Sequence, residues 1–164
     1  MILLSLISLL MFSFGFSQEV EVYAIVKGIV MKVYVKEGQR VEKGQLLVEI
    51  DPSLYLSEIE KLRAQLLAQR LKLDKVEREF RRYESLYERG LLSRSEYEDW
   101  KNKYEREEAV YKSIQSELKG LEKLLEYCRI VSPAKGVLKR LLVRENSFVN
   151  GTMNPHLLMV IEDR

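Results

Sequence analysis

The sequence predicts an α+β protein in which a small β-sandwich is split by a long antiparallel coiled-coil α-hairpin. The two ends of the chain carry short runs of β-branched residues broken by glycine, and a charge-rich segment with a heptad pattern lies between them. The two outer segments also resemble each other. These three observations favour one small domain whose two halves come from opposite ends of the chain.

Length and composition exclude several classes of protein. A chain of 164 residues allows one compact domain, or a small domain with an extended element. The balance of 27 basic against 25 acidic residues, a net charge of +2, argues against a nucleic-acid binder. The lone cysteine, Cys128, excludes an intramolecular disulfide. The lone histidine, His156, is expected in a loop, so neither a metal site nor a catalytic residue is predicted.

The first 17 residues form a targeting segment. Residues 2–16 are apolar apart from serine and glycine, but the run is shorter than the roughly 20 residues that span a bilayer. The run resembles the apolar region of a secretory signal peptide, with cleavage expected before Gln18. A cleaved signal peptide and an uncleaved N-terminal anchor both remain open, and either one predicts export.

A shift of 108 residues superimposes the first outer segment, residues 20–52, on the second, residues 130–163. The shift pairs residues of the same type: Gly28 with Gly136, Val30 with Leu138, Val33 with Leu141, Val35 with Val143, Glu37 with Glu145, and Val41 with Val149. It also pairs Gly38 with Asn146, and asparagine is the residue after glycine that most readily adopts a positive φ. Neither half has enough apolar residues for a core of its own, so we expect the halves to pair into one sandwich.

The middle segment, residues 53–129, carries two heptad seams and contains no proline. The first seam consists of Tyr55, Ile59, Leu62, Leu66, Gln69, Leu73, Val76, Phe80, Tyr83 and Tyr87. The second consists of Tyr97, Trp100, Tyr104, Glu107, Tyr111, Ile114, Leu118, Leu121, Leu125 and Cys128. Alternating spacings of three and four residues indicate two supercoiled helices.

The seams also predict the register of the hairpin. Facing residues of antiparallel arms have numbers with a constant sum, which is 177 for Phe80 with Tyr97 and 176 for Gln69 with Glu107. The turn is therefore expected to centre near residues 88–89. Gln69 and Glu107 are the two polar seam residues, and a buried polar layer disfavours slipped registers at a cost in stability. The sequence alone predicts that Gln69→Leu stabilises the hairpin and relaxes its register.

Residues beside the turn predict how the tip is built. Ser93 and Glu96 have the spacing of a capping box that opens the second helix. Gly90 supplies a residue that tolerates a positive φ. We interpret the aromatic seam residues near the tip as core packing, with Tyr83 and Tyr87 partly exposed.

This organisation resembles the HlyD family of membrane fusion proteins, the periplasmic adaptors of RND-type efflux pumps and type I secretion systems. The stretch from Gly28 to Asp51 is similar to the family's first lipoyl half, and Ile130-Val-Ser-Pro-Ala-Lys-Gly136 is similar to its return from the hairpin. The resemblance covers residues 20–163. It implies a lipoyl/biotinyl-like sandwich, and an adaptor that links an outer-membrane channel to an inner-membrane transporter.

A second resemblance lies at the tip, about residues 87–93. Family members that dock on TolC-like channels carry an arginine, a leucine four residues later and a serine seven residues after that. Arg82, Leu86 and Ser93 have this spacing. The resemblance implies that Arg82 donates to carbonyl or carboxylate oxygens of the channel, that Leu86 fills an apolar groove, and that Ser93 adds a hydrogen bond.

The resemblance carries further expectations. It implies a homo-oligomeric ring in the periplasm or cell envelope, possession of neither enzymatic activity nor a cofactor, and no nucleic-acid partner. Family members usually continue into a β-barrel domain, whereas this sequence ends at Arg164. A minimal adaptor, a shortened one and one half of a split system are the three alternatives that this leaves open.

Two other functions were weighed against the adaptor. A non-transport coiled-coil scaffold of the cell envelope would use the same fold. A biotin or lipoate carrier would modify a lysine, and Met31-Lys32 has a suitable composition. The modified lysine of a carrier lies on the turn after the first half, however, where this chain has Pro52-Ser53. The carrier is therefore the least favoured alternative.

Overall fold

The computed structural model describes residues 18–163, and it confirms the predicted fold class. Four strands precede the hairpin: β1 (Glu19–Ala24), β2 (Lys27–Val33), β3 (Arg40–Val41) and β4 (Leu46–Ile50). The hairpin consists of α1 (Ser53–Glu88) and α2 (Arg94–Glu126). Four strands follow: β5 (Arg129–Val131), β6 (Gly136–Leu141), β7 (Phe148–Asn150) and β8 (His156–Glu162).

The expected targeting segment, residues 1–17, lies outside the described residues. Within residues 18–163, neither helix carries an apolar stretch that would let it cross a bilayer. His156 begins strand β8, where it pairs with Ala24, so its expected place in a loop is wrong. The strand reaches His156 because the pairing with β1 continues to the last residue of β1.

Two four-stranded antiparallel sheets form the sandwich, and both combine strands from the two halves of the chain. The strand order is β1-β8-β6-β3 in one sheet and β5-β4-β2-β7 in the other. Because alternate side chains of each strand point inward, the core is built from valine, leucine and isoleucine of both halves. Its fully buried members include Val26, Val30, Val41, Leu47, Val48, Ile50, Leu138, Val149, Leu158 and Ile161.

The two halves exchange equivalent hydrogen bonds. The amide of Val30 donates to the carbonyl of Ser147 over 2.9 Å, and Val30 in turn accepts from Asn146 over 2.8 Å. In the other half, equivalent bonds run from Leu138 to Gln39 (2.9 Å) and from Gly38 to Leu138 (2.8 Å). The φ angles of Gly38 and Asn146 are 82° and 66°, which confirms the expected positive φ at both positions.

Two carboxylates repeat this exchange at the ends of β2 and β6. Glu145 Oε1 accepts from the amide of Val33 over 3.1 Å, and Glu37 Oε1 accepts from the amide of Leu141 over 2.8 Å. Each half thus satisfies backbone donors of the other half. The internal repeat therefore describes an interlocked pair rather than two separate motifs.

The hairpin packs along the two seams that the sequence predicts. The buried side chains of α1 and α2 all belong to the seams: Tyr55, Ile59, Leu62, Leu73, Val76, Glu107 and Leu118. With 36 and 33 residues, the helices extend about 54 and 50 Å from the sandwich. At the base, the Tyr55 hydroxyl accepts from the amide of Lys27 over 3.1 Å, which joins α1 to the sandwich.

The turn occupies residues 89–93, so the predicted centre at residues 88–89 is about two residues too early. The cause is the packing of the aromatic rings. Phe80 lies 5.9 Å from Tyr97, as the predicted register requires, but it also stacks on Tyr104 at 5.4 Å. Each ring therefore lies between two layers of the opposite helix, and the true register is intermediate.

Candidate functional site: the hairpin tip

The end of α1 is closed by a pair of backbone hydrogen bonds around Gly90. The amide of Gly90 donates to the carbonyl of Tyr87, and the amide of Leu91 donates to the carbonyl of Leu86, each over 2.9 Å. Gly90 has φ 72°, which a residue with a Cβ rarely adopts. These features define a Schellman motif, which satisfies the terminal carbonyls and fixes the exit of the chain. The backbone of Leu86 is thereby held in place.

The start of α2 is closed by the capping box that the sequence predicts. Ser93 Oγ accepts from the amide of Glu96 over 3.3 Å, and the Glu96 carboxylate accepts from the Ser93 amide over 3.2 Å. The Ser93 hydroxyl also donates to the Glu96 carboxylate over 2.6 Å. These bonds, led by the one from the Ser93 hydroxyl, lower the pKa of the Glu96 carboxyl. The hydroxyl of Ser93 is therefore largely committed to the cap.

Loss of this cap is expected to loosen the tip without unfolding the protein. Ser93→Ala should cost about 1 kcal/mol, because it removes one side-chain cap of a long helix. The neighbouring Ser95 is exposed and makes no side-chain hydrogen bond, so Ser95→Ala is the matched control. Amide hydrogen exchange of residues 93–97 measures the effect. Equal exchange in the two variants would contradict a capping role.

Three stacked aromatic pairs form the stem below the turn. The ring centroids are 4.5 Å apart in Tyr87–Tyr97, 4.5 Å in Tyr83–Trp100 and 5.4 Å in Phe80–Tyr104. Such pairs add about 0.5–1.5 kcal/mol each beyond the area they bury. Tyr83 is half-buried and Tyr87 is 37% exposed, which confirms the interpretation as packing with partial exposure near the tip. The stem holds the two ends of the turn together.

Arg82 and Leu86 lie on this stem, one helical turn apart. Arg82 Nη2 is 2.5 Å from Glu79 Oε2, and the guanidinium carbon lies 5.3 Å from the centroid of Tyr83. The Arg82 side chain is 63% exposed, so the ion pair with Glu79 is weak and easily exchanged for another partner. Leu86 is half-buried. The site thus presents an available guanidinium beside an apolar side chain.

Sequence reasoning did not single out Leu91, which is 67% exposed in the turn itself. Its amide is one of the two donors that close α1. The available signal was its place immediately after Gly90, where a Schellman motif often has a hydrophobic residue. Leu91 and Leu86 therefore both contribute apolar character to the tip.

The two polar seam residues meet in the middle of the hairpin. Gln69 Nε2 donates to Glu107 Oε2 over 2.7 Å, and Lys72 Nζ lies 2.9 Å from Glu107 Oε1. Glu107 is only 8% exposed. The hydrogen bond from Gln69 and then that from Lys72 lower the pKa of the Glu107 carboxyl. The layer is a hydrogen-bonded buried charge, far from the tip.

The remaining chemistry-bearing residues do not form a second site of this kind. Lys32 lies within β2 rather than on a turn, with its ammonium 5.2 Å from the centroid of the Tyr34 ring. Burial raises the pKa of the Cys128 thiol to about 11, and Asp51 adds to the shift. Among residues 18–163, no three side chains of histidine, cysteine, aspartate and glutamate come together as metal ligands.

The architecture is that of a periplasmic adaptor: a lipoyl-like sandwich whose two halves are separated by a long hairpin. The chain belongs to the RND membrane fusion proteins, because the family model described as "RND MFP, barrel-sandwich hybrid domain" matches residues 18–161. That match covers both halves of the sandwich and the whole hairpin.

Individual relatives agree with this assignment. The multidrug resistance protein MdtA of Yersinia enterocolitica is 31% identical over 137 residues, which cover 83% of this chain and 31% of MdtA. The chain thus spans about a third of the length of this relative. A MacA–MexA chimera that contains the Pseudomonas aeruginosa MexA α-hairpin is 29% identical, with TM-score 0.54 over 89% of this chain and 46% of the chimera.

A more distant structure shares the fold. The membrane fusion protein Spr0693 of Streptococcus pneumoniae has TM-score 0.65 at 13% identity, over 89% of this chain and 61% of that one. The sandwich-and-hairpin arrangement is therefore retained at an identity where few individual side chains still correspond.

Proposed function

We propose that this chain acts as the adaptor of a tripartite efflux or secretion system in the periplasm of the cell envelope. Its hairpin tip docks on a TolC-like outer-membrane channel, and its sandwich end is turned toward an inner-membrane transporter. Several copies form a ring, and the transporter supplies the energy. The chain itself has no enzymatic role. The observation that carries the proposal is the presence of Arg82 and Leu86 on a rigid stem about 50 Å from the sandwich.

The build of the tip supports docking through preformed contacts. Two backbone hydrogen bonds, the capping box and three aromatic stacks fix the tip before any partner arrives. A preorganised surface loses little conformational entropy on binding. Arg82 needs only to exchange an exposed carboxylate, Glu79, for an acceptor on the channel. One tip offers a small contact, so a ring of copies gains affinity by avidity.

The structure narrows the part that Ser93 can take in docking. Its hydroxyl hydrogen is used by the Glu96 carboxylate, and one lone pair is used by the Glu96 amide. One acceptor position remains. Ser93 therefore contributes to docking as a hydrogen-bond acceptor, and its main effect is to hold the start of α2 in place.

A photocrosslinking amino acid at Leu86 tests this function in the native cell. We expect it to capture an outer-membrane channel, identified by mass spectrometry. Arg82→Asp should lower the captured amount about tenfold or more, because it replaces a donor at the contact with a charge that repels the acceptors.

Arg81→Asp is the matched control for this experiment. Arg81 is also exposed and also pairs with a glutamate of its own helix, Glu77 at 2.6 Å, but it is not part of the docking motif. Capture should persist in this variant. Capture of only envelope proteins other than a channel, from a well-expressed chain, would reject docking and favour the non-transport scaffold.

A further inference from the structure

The outer edges of the two helices are the largest surface of the hairpin that the docking site does not use. Leu71 lies two residues from the seam residues Gln69 and Leu73, so it stands on the side of α1 opposite the seam. Leu71 is 64% exposed, and Leu67, one turn away, is 62% exposed. Within residues 18–163 nothing covers them. Two adjacent exposed leucines in the middle of a charged helix indicate a contact surface.

The outer edge of α2 at the same height is uncharged. Gln69 bonds to Glu107 and Phe80 stacks on Tyr104, and these contacts bring Leu71 to the height of about Ala109. Ala109 lies two residues from the seam residues Glu107 and Tyr111, so it stands on the side of α2 opposite the seam. It is exposed. A leucine at the outer edge of α1 thus has a small residue at the same height on the outer edge of α2.

Unpaired opposite charges flank this level on both sides. Toward the tip, Arg78 stands on the α1 edge at the height of Asp99 on α2; toward the sandwich, Glu60 stands at the height of Lys119. All four are exposed, and none forms an ion pair within the described part of the chain. The surrounding charges mostly are paired: Arg70 with Asp74, Arg81 with Glu77, Arg82 with Glu79, Arg94 with Glu98, and Lys112 with Glu108.

We infer that the α1 edge of one copy packs laterally against the α2 edge of a second copy of this chain. Leu67 and Leu71 then lie over Ala109, with Arg78 beside Asp99 and Glu60 beside Lys119. Two different edges of one molecule make a head-to-tail contact, which closes into a ring when the rotation allows it. The inference rests on the ring in the proposed function and is independent of docking by Arg82 and Leu86.

One pair of like charges sets the strength of this contact. Lys75 and Arg106 come to the same height on the two edges, and both are exposed and without an ion pair among residues 18–163. Their repulsion opposes the contact between two single copies. The contact is therefore weak in a pair and becomes effective when a ring makes it repeatedly.

Intermolecular disulfide formation tests the inference on the full chain. One copy carries Leu71→Cys and a second, differently tagged copy carries Ala109→Cys; mixing the two should give a mixed disulfide under mild oxidation. Cys128 is buried, and its raised pKa, about 11, keeps it out of the reaction. Lys123→Cys is the matched control for Ala109→Cys, because it lies on the same edge about 21 Å nearer the sandwich.

The expected result is at least tenfold more disulfide between positions 71 and 109 than between 71 and 123. Equal yields, or a dominant disulfide between two copies of Leu71→Cys, would overturn the inference. A charge exchange gives a second readout: Arg78→Glu should weaken self-association about tenfold, and adding Asp99→Arg should restore it. Failure of the exchange to restore association would also overturn the inference.

Failure of this inference and failure of the proposed function give different results. A ring measured by sedimentation without the disulfide between positions 71 and 109 rejects only the lateral contact described here. A chain that stays monomeric at all concentrations rejects both the ring and the contact. In either case, channel capture at Leu86 still reports on docking by itself.

Discussion

Gly151→Ala is expected to lower the free energy of unfolding by about 3 kcal/mol, in the upper part of the range for an overpacked core. A Cβ at Gly151 would lie 1.9 Å from the carbonyl oxygen of Ala24 and 2.8 Å from the Cα of Ile25. Both atoms belong to the backbone at the crossing from β1 to β2, so no side-chain rotation relieves the clash. The amide of Gly151 also donates to the carbonyl of Val26 over 3.0 Å, which holds the two segments together.

Thermal unfolding monitored by circular dichroism measures this effect, with an expected fall in Tm of about 6–12 °C for a chain of this size. Gly120→Ala is the control: it lies within α2 and has nothing within 4 Å of an added Cβ. That substitution should stabilise the protein by about 0.5–1 kcal/mol, because alanine favours the helix. A Gly151→Ala variant as stable as the parent would show that the crossing can move apart.

Gln69→Leu is expected to lower stability by about 1–3 kcal/mol, because it leaves the buried Glu107 carboxylate without its closest donor. The structure thus reverses the sign expected from the sequence. Gln69 supplies a bond of 2.7 Å to a carboxylate that is only 8% exposed, and Lys72 alone then remains to neutralise it. A variant with leucine at both positions removes the charge as well, and it should match or exceed the stability of the parent.

Urea unfolding of the parent, the two single variants and the double variant measures this coupling, which is expected at about 0.5–3 kcal/mol. Spin-label distances between the helices report the register, and they should broaden only in the double variant. Purely additive effects of the two substitutions would contradict a coupled layer.

The pH dependence of stability gives a separate check on this layer. The pKa of Glu107 is lowered in the folded protein, so its bonds with Gln69 and Lys72 contribute stability above the ordinary carboxyl pKa of about 4.3. This contribution is lost as the pH falls through the lowered folded pKa. The stability difference between the parent and Gln69→Leu should therefore shrink in acid. A difference that stays constant down to pH 2 would contradict the assignment.

Much of the fold could be predicted because two patterns in the sequence are long and regular. Unbroken seams over residues 55–87 and 97–128 leave one face of each helix to bury, and the polar pair then selects the register. The shift of 108 residues revealed the repeat, and it placed a positive φ at Asn146, which has φ 66°. The capping box of Ser93 was readable because its spacing is local.

Other features depend on contacts that no local pattern encodes. The turn centre moved because aromatic rings such as Phe80 pack between two layers of the opposite helix. The sign for Gln69→Leu changed because Lys72 joins Glu107, and the seam pattern does not include that position. His156 entered β8 because β1 offers a pairing partner from the far end of the chain.

The sequence by itself determined the heptad register, the repeated half-motif and the spacing of Arg82, Leu86 and Ser93, since each of these is a property of residue order. Only the tertiary structure decided how the halves interlock, with Glu37 and Glu145 each bonding the backbone of the other half. It also decided that Arg82 is exposed beside a rigid aromatic stem, while Ser93 is occupied by its cap. The physical reason is that hydrogen bonds and packing between distant segments depend on the positions of atoms that spacing along the chain does not specify.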